Sequence, residues 1–167
     1  MTADINAPDI ITLKIVSDPK NVSPLGEAIN ALCLYATNSE VYAHDIQLAV
    51  VEALNNVILH AYKSQKGNEI IVKWIQSTGC LNIEIIDYGI SMTALPVAAL
   101  PEIDAEGGRG WWIINACVDE YYYKAVEYVE RERVCTPSSS DSDVFHNSLL
   151  KSSRNTLTLI KYFQQVA

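Results

Sequence analysis

Ser39-Glu-Val-Tyr-Ala-His-Asp-Ile-Gln-Leu-Ala-Val-Val-Glu52-Ala-Leu-Asn-Asn56-Val-Ile-Leu-His60-Ala-Tyr62 is the longest stretch of the chain with an unbroken helical period. Ile46, Val50, Ala53, Val57 and Ala61 fall on one line and predict a helix from about 39 to 62 with that line against a core. Glu52, Asn56 and His60, spaced by four, form a slanted polar stripe. At about 100° per residue the stripe borders the apolar line rather than opposing it. Two readings are open: a solvated border with a core histidine, or a ligand-binding edge where the helix meets the next layer.

Outward from this helix, the preceding segment reads as a strand over 10–16, with Ile11, Leu13 and Ile15 on one face. Ser23 then suits an N-cap and Pro24 a first helical position, predicting a helix that runs to about 35. After the long helix come two strands, 69–76 and 81–87, joined by Ser77-Thr78-Gly79-Cys80, whose glycine suits a hairpin. Alternation places Leu81, Ile83, Ile85 and Asp87 on one face, so Asp87 ends an apolar row and points toward the helical layer. A carboxylate there needs a donor to offset its desolvation. The exocyclic amine of a purine supplies one; a helix cap or a backbone amide in the Tyr88-Gly89 turn supplies another.

Residues 91–105, with Pro96 and Pro101, read as a loop that serves as a flexible cover. Glu106-Gly-Gly-Arg-Gly110 follows, with an apolar helical run over 111–118 behind it. Glycines before a helix let backbone amides turn toward an anion at the positive end of the helix dipole; a plain glycine-rich helix entry is the other reading. The segment matches neither G-x-x-x-x-G-K-[ST] nor G-x-G-x-x-G, which disfavours a P-loop enzyme or a nicotinamide dehydrogenase. Tyr121-Tyr122-Tyr123 resumes strand character, the Ser-rich 136–154 reads as an insertion, and 156–162 as a closing strand. The order predicts an α+β fold: a two-layer sandwich whose mixed, mainly antiparallel sheet carries helices on one face.

A chain of 167 residues with 49% hydrophobic content suits one domain with a substantial core. The net charge of -8 disfavours nucleic acid and anionic membrane as partners, because both select clustered Lys and Arg. A bound polyphosphate would need a metal ion and local donors. No apolar run reaches the roughly 18 residues of a membrane span, and the N-terminus lacks a basic start, so a cytoplasmic protein is expected. Cys33, Cys80, Cys117 and Cys135 form no C-x-x-C pair and read as reduced thiols.

In combination, these segments resemble the GHKL ATP-binding superfamily, with its Bergerat fold, and specifically the bacterial anti-sigma-factor serine kinases. Glu52 to Tyr62 looks like the family's N box, Asp87-Tyr88-Gly89 like its first glycine box, and Glu106 to Gly110 like its second. Asn155-Thr-Leu-Thr-Leu-Ile-Lys161 resembles its closing strand. The resemblance implies ATP and Mg2+ as cofactors, with Asn56 as the metal ligand and Asp87 reading adenine. It also implies Glu52 as general base toward a protein serine, Arg109 at a terminal phosphate, and Gly89, Gly108 and Gly110 shaping the pocket. His60 is assigned to packing. The implied partners are a sigma factor, which the protein sequesters, an anti-anti-sigma protein of STAS type, which it phosphorylates, and a second copy in a homodimer.

The chain departs from the pattern in three places. Gly89 is followed by Ile90-Ser91-Met92 without a second glycine, Trp111-Trp112 replaces an aliphatic pair, and the 136–154 insertion is long. Core packing accounts for one tryptophan and a partner surface for the other. A non-catalytic nucleotide-binding module that regulates by association is the competing function. A sensor histidine kinase fits poorly, since only His44, His60 and His146 occur and no helical hairpin precedes the domain.

Overall fold

A computed structural model describes residues 7–97, 108–131 and 149–164. Its elements are β1 (Asp9–Val16), a 3-10 turn (Pro19–Asn21), α1 (Val22–Thr37), α2 (Glu40–Asn56) with a π turn (Val57–Ala61), β2 (Glu69–Ser77), β3 (Cys80–Asp87), α3 (Arg109–Cys117), β4 (Glu120–Arg131) and β5 (Leu149–Tyr162). The strands form one sheet in the order β1-β2-β3-β5-β4. Every pairing among the described residues is antiparallel, so the sheet is not mixed. The α+β two-layer architecture is as read from the sequence.

Alternation decides which face carries the core. Ile70, Val72 and Trp74 of β2, Leu81, Ile83 and Ile85 of β3, and Leu157 and Leu159 of β5 are buried in one cluster with residues of all three helices. From α1 come Leu25, Ile29 and Cys33, from α2 Ile46, Val50 and Ala53, and from α3 Ile114 and Cys117. Each fully buried Ile or Leu among them contributes roughly 1.5–3 kcal/mol. On the opposite face Lys14 pairs with Glu69 and Lys73 with Glu84, while Ile86 near the end of β3 is buried.

Three boundaries differ from expectation. Asn21, not Ser23, is the N-cap of α1, which begins at Val22, and its side chain makes no capping bond; Asp18 caps the preceding 3-10 turn, accepting from Lys20 N at 3.2 Å. Pro24 still costs nothing there, because first-turn amides have no partner inside a helix. The long helix is capped by Ser39, whose Oγ accepts from Tyr42 N, but its α geometry stops at Asn56 and a π turn carries the chain onward. Finally, residues 149–154 are strand rather than insertion, since Leu149 to Arg154 pair with Arg131 to Val126. Residues 136–148, and 98–105 of the cover, lie outside the described residues.

Candidate nucleotide site

Asp87 closes the core-facing row of β3, opposite Ile70 on one side and Asn155 on the other. It is 5% exposed. Its Oδ1 accepts from Gly89 N at 2.9 Å and from Asn155 Nδ2 at 2.7 Å. Burial pushes its pKa up, and those two donors pull it back. The turn thus supplies one donor, as the simpler sequence reading allowed. Both bonds made among the described residues fall on Oδ1, so Oδ2 is the oxygen available to a ligand's donor.

The segment that leaves Asp87 is pinned on all sides. Tyr62 Oη accepts from Tyr88 N at 2.9 Å and donates to the Glu69 carbonyl. Ile90 N donates to the Ala61 carbonyl at 2.9 Å, which docks the segment on the π turn. Gly89 makes that approach possible: a β-carbon there would stand 2.5 Å from Ala61 O, a backbone atom that cannot step aside. Ser153 Oγ and Asn155 Nδ2 both donate to the Gly89 carbonyl, each at 3.1 Å, and Met92 N donates to Tyr123 Oη at 2.8 Å.

The second group of residues sits where α3 starts against the end of α2. Gly108 caps α3 in the left-handed region, φ 87°, and Arg109, exposed, is the first helical residue. A β-carbon on Gly110 would lie 3.0 Å from Glu52 Oε2, 3.4 Å from Asn56 Nδ2 and 3.5 Å from Asn56 Oδ1. A side chain there would push the Glu52 carboxylate back by a few tenths of an ångström and touch Asn56, so glycine gives the α3 backbone its close seat on both. Asn56 Nδ2 is buried and makes no hydrogen bond among the described residues. A native structure rarely strands such a donor.

The structure therefore gathers Glu52, Asn56 and Gly110 in one place, with Gly108 and Arg109 on the adjoining helix end, and Asp87 with Gly89 in another. The π turn Val57–Ala61 joins the two, starting directly after Asn56 and receiving Gly89 at Ala61. π turns recur at functional sites because the extra residue redirects side chains. His60, assigned to packing by sequence, is exposed instead, since the π turn takes it off the four-residue stripe of Glu52 and Asn56. Glu106 and Gly107 lie outside the described residues. Trp112 is 40% exposed while Trp111 packs on Tyr121, rings 5.8 Å apart, so the pair divides between surface and core as expected.

Sequence reasoning missed Asn155, Ser91 and Tyr62. Asn155 carried a signal: with Leu157 and Leu159 it occupies an alternating row, and a polar residue at its end mirrors Asp87 at the end of the β3 row.

The fold thus sets a helix-borne acid and amide under a glycine-bearing helix start and joins them through the π turn to a buried strand-end aspartate. A model of the histidine kinase-like ATPase domain matches residues 15–134, and the chain belongs to that family. It is similar to proteins named serine-protein kinase RsbW. That of Listeria monocytogenes serovar 1/2a is 27% identical over 133 residues, covering 72% of this chain and 85% of the relative. Those of Bacillus pumilus (26% over 145 residues; 75% and 90%) and Bacillus subtilis (24% over 124 residues; 69% and 78%) match comparably. No helix among the described residues is long and apolar enough to cross a membrane.

Proposed function

We propose that the protein binds ATP with Mg2+ and transfers the terminal phosphoryl group to a serine of a small antagonist protein, while holding a sigma factor inactive. The observation that carries this reading is the close seat of Gly110 on Glu52 and Asn56, with the Asn56 amide nitrogen orphaned beside it.

The residues fit the cofactor. Asp87 accepts from the exocyclic amine of adenine through Oδ2. The amides that open α3, with Arg109, face anionic phosphate oxygens at the positive end of the helix dipole. Asn56 would hold the metal through Oδ1, with its orphaned Nδ2 left to donate to a phosphate oxygen. Among the described residues no three His, Cys, Asp or Glu side chains form a cage of their own, so Mg2+ would take most of its oxygens from phosphate and water, as it commonly does. Bound there, it would neutralise charge on the phosphates. Glu52 takes the proton of the attacking serine hydroxyl. Phosphoryl transfer asks the protein for positioning and charge balance more than for covalent chemistry, and this donor set supplies both.

The relatives named serine-protein kinases support the kinase reading; the sigma factor, the STAS-type anti-anti-sigma substrate, a homodimer and a cytoplasmic location follow from the same resemblance. Incubating the protein with labelled ATP, Mg2+ and its cognate antagonist tests it. Label on an antagonist serine, lost in Glu52→Ala while ATP binding persists, is the expected result. ATP binding without transfer by the native protein would replace the kinase with a module that acts by association alone.

A further inference from the structure

Asn155 lies on β5 directly opposite Asp87, 1% exposed, and every polar atom of its amide is engaged. Nδ2 donates to Asp87 Oδ1 at 2.7 Å and to the Gly89 carbonyl at 3.1 Å, and Oδ1 accepts from Ser91 Oγ at 2.7 Å. The Gly89 carbonyl, which can only accept, fixes which way the amide is turned, so the NH2 group faces it and the carboxylate while Oδ1 takes the Ser91 hydroxyl proton. Aspartate in its place would set oxygen against oxygen, and leucine would remove the donor.

Resting on the ATP-site reading above, we propose that Asn155 is a positioning residue for base discrimination, locking the Asp87 carboxylate so that it accepts from adenine and rejects guanine, with Ser91 bracing the amide from its oxygen side. The chemistry is direct. Adenine presents an amine donor at its six-position, which a carboxylate oxygen accepts; guanine presents a carbonyl oxygen there, which a carboxylate repels. A carboxyl group that rotates away, or that takes up a proton and donates it, tolerates guanine. Two features prevent this. Nδ2 holds Oδ1 in place, and its donated bond favours the ionised acid against the burial that pushes the other way. Asp87, Tyr88 and Glu69 bear on the Tyr62 hydroxyl, which is pushed up to about 12 chiefly by burial, so it stays neutral and adds no compensating charge.

The test is calorimetric titration of the full chain and its variants with ATP and, separately, GTP, each with Mg2+, together with a melting curve for each variant. The native chain should prefer ATP. Asn155→Leu should lose roughly tenfold in ATP affinity, the scale of a hydrogen bond to a charged group, while GTP affinity holds or rises. Ser91→Ala should shift the preference in the same direction by a smaller factor, and it decides the matter if Asn155→Leu does not fold. An unchanged ATP-to-GTP preference in a folded variant, including equal losses for both nucleotides, overturns the proposal and leaves Asn155 a structural residue. If the native chain binds neither nucleotide, the underlying ATP reading falls first and takes this one with it.

Discussion

Gly110 rests on Glu52: a β-carbon at that glycine would stand 3.0 Å from Glu52 Oε2. The contact couples the first turn of α3 to the end of α2, and a side chain there would press on the Glu52 carboxylate. Gly110→Ala should therefore impair nucleotide binding with Mg2+ by tenfold or more, on the order of 1.4 kcal/mol. Stability should change by less than about 1 kcal/mol, because alanine favours the helix as much as the contact disfavours it. Binding titration and a melting curve on one sample separate the two effects. Unimpaired binding would show that phosphate does not lie between these elements.

Asp87→Asn should make the protein more stable and less functional. Burial raises the folded-state pKa of Asp87 above its ordinary value, so the folded state binds the proton more tightly than the unfolded one. Stability from this group is then present at low pH and is lost as pH rises through the folded pKa. An asparagine keeps an acceptor for Gly89 N and Asn155 Nδ2 without the charge. Its advantage in melting temperature should be largest at neutral pH and shrink as the solution is acidified, while ATP binding is lost. A neutral-pH melting point below that of the native chain would contradict this account of the buried acid.

Tyr62→Phe should cost about 1–3 kcal/mol, because it strands Tyr88 N and the Glu69 carbonyl, both tied to the same hydroxyl. Denaturant unfolding measures the loss. Since the hydroxyl also pins the residue after Asp87, ATP affinity should fall in the variant even where it remains fully folded. A variant as stable as the native chain would mean that water replaces the hydroxyl at no cost.

Cys33 is fully buried between α1 and the sheet, and burial pushes its thiol up to about 12. Cys80, half-buried at the β2–β3 hairpin, is more accessible. A brief pulse of iodoacetamide at mildly alkaline pH, followed by peptide mapping, should label Cys80 well before Cys33. Equal labelling would show that α1 opens from the sheet on the timescale of the pulse.

Amphipathic period made most of the architecture legible. α2 and β3 were readable because Ile46, Val50 and Ala53, and Leu81, Ile83 and Ile85, repeat at the spacing of their elements and are all buried. The extra reach of β4 and β5 was not, because the Glu127–Arg131 and Ser152–Arg154 segments lack apolar alternation; they form strands by pairing with each other, backbone to backbone. The π turn left no mark, since Val57 to Ala61 contains neither glycine nor proline. At the site, Glu52, Asn56 and Asp87 could be placed by element and face. Asn155 could be placed on its row but not beside Asp87, because that partnership depends on β5 lying next to β3, a pairing between strands distant in sequence.

The most direct test of the central claim, that one nucleotide spans Asp87, Asn56 and the start of α3, is titration of ATP into the native chain with Mg2+ and again with a chelator. The account predicts one saturable site per chain whose affinity falls steeply when the metal is removed, as Asn56 Oδ1 then has no cation to bind and the phosphate charge is not neutralised. Absence of binding, or binding indifferent to the metal, would contradict it.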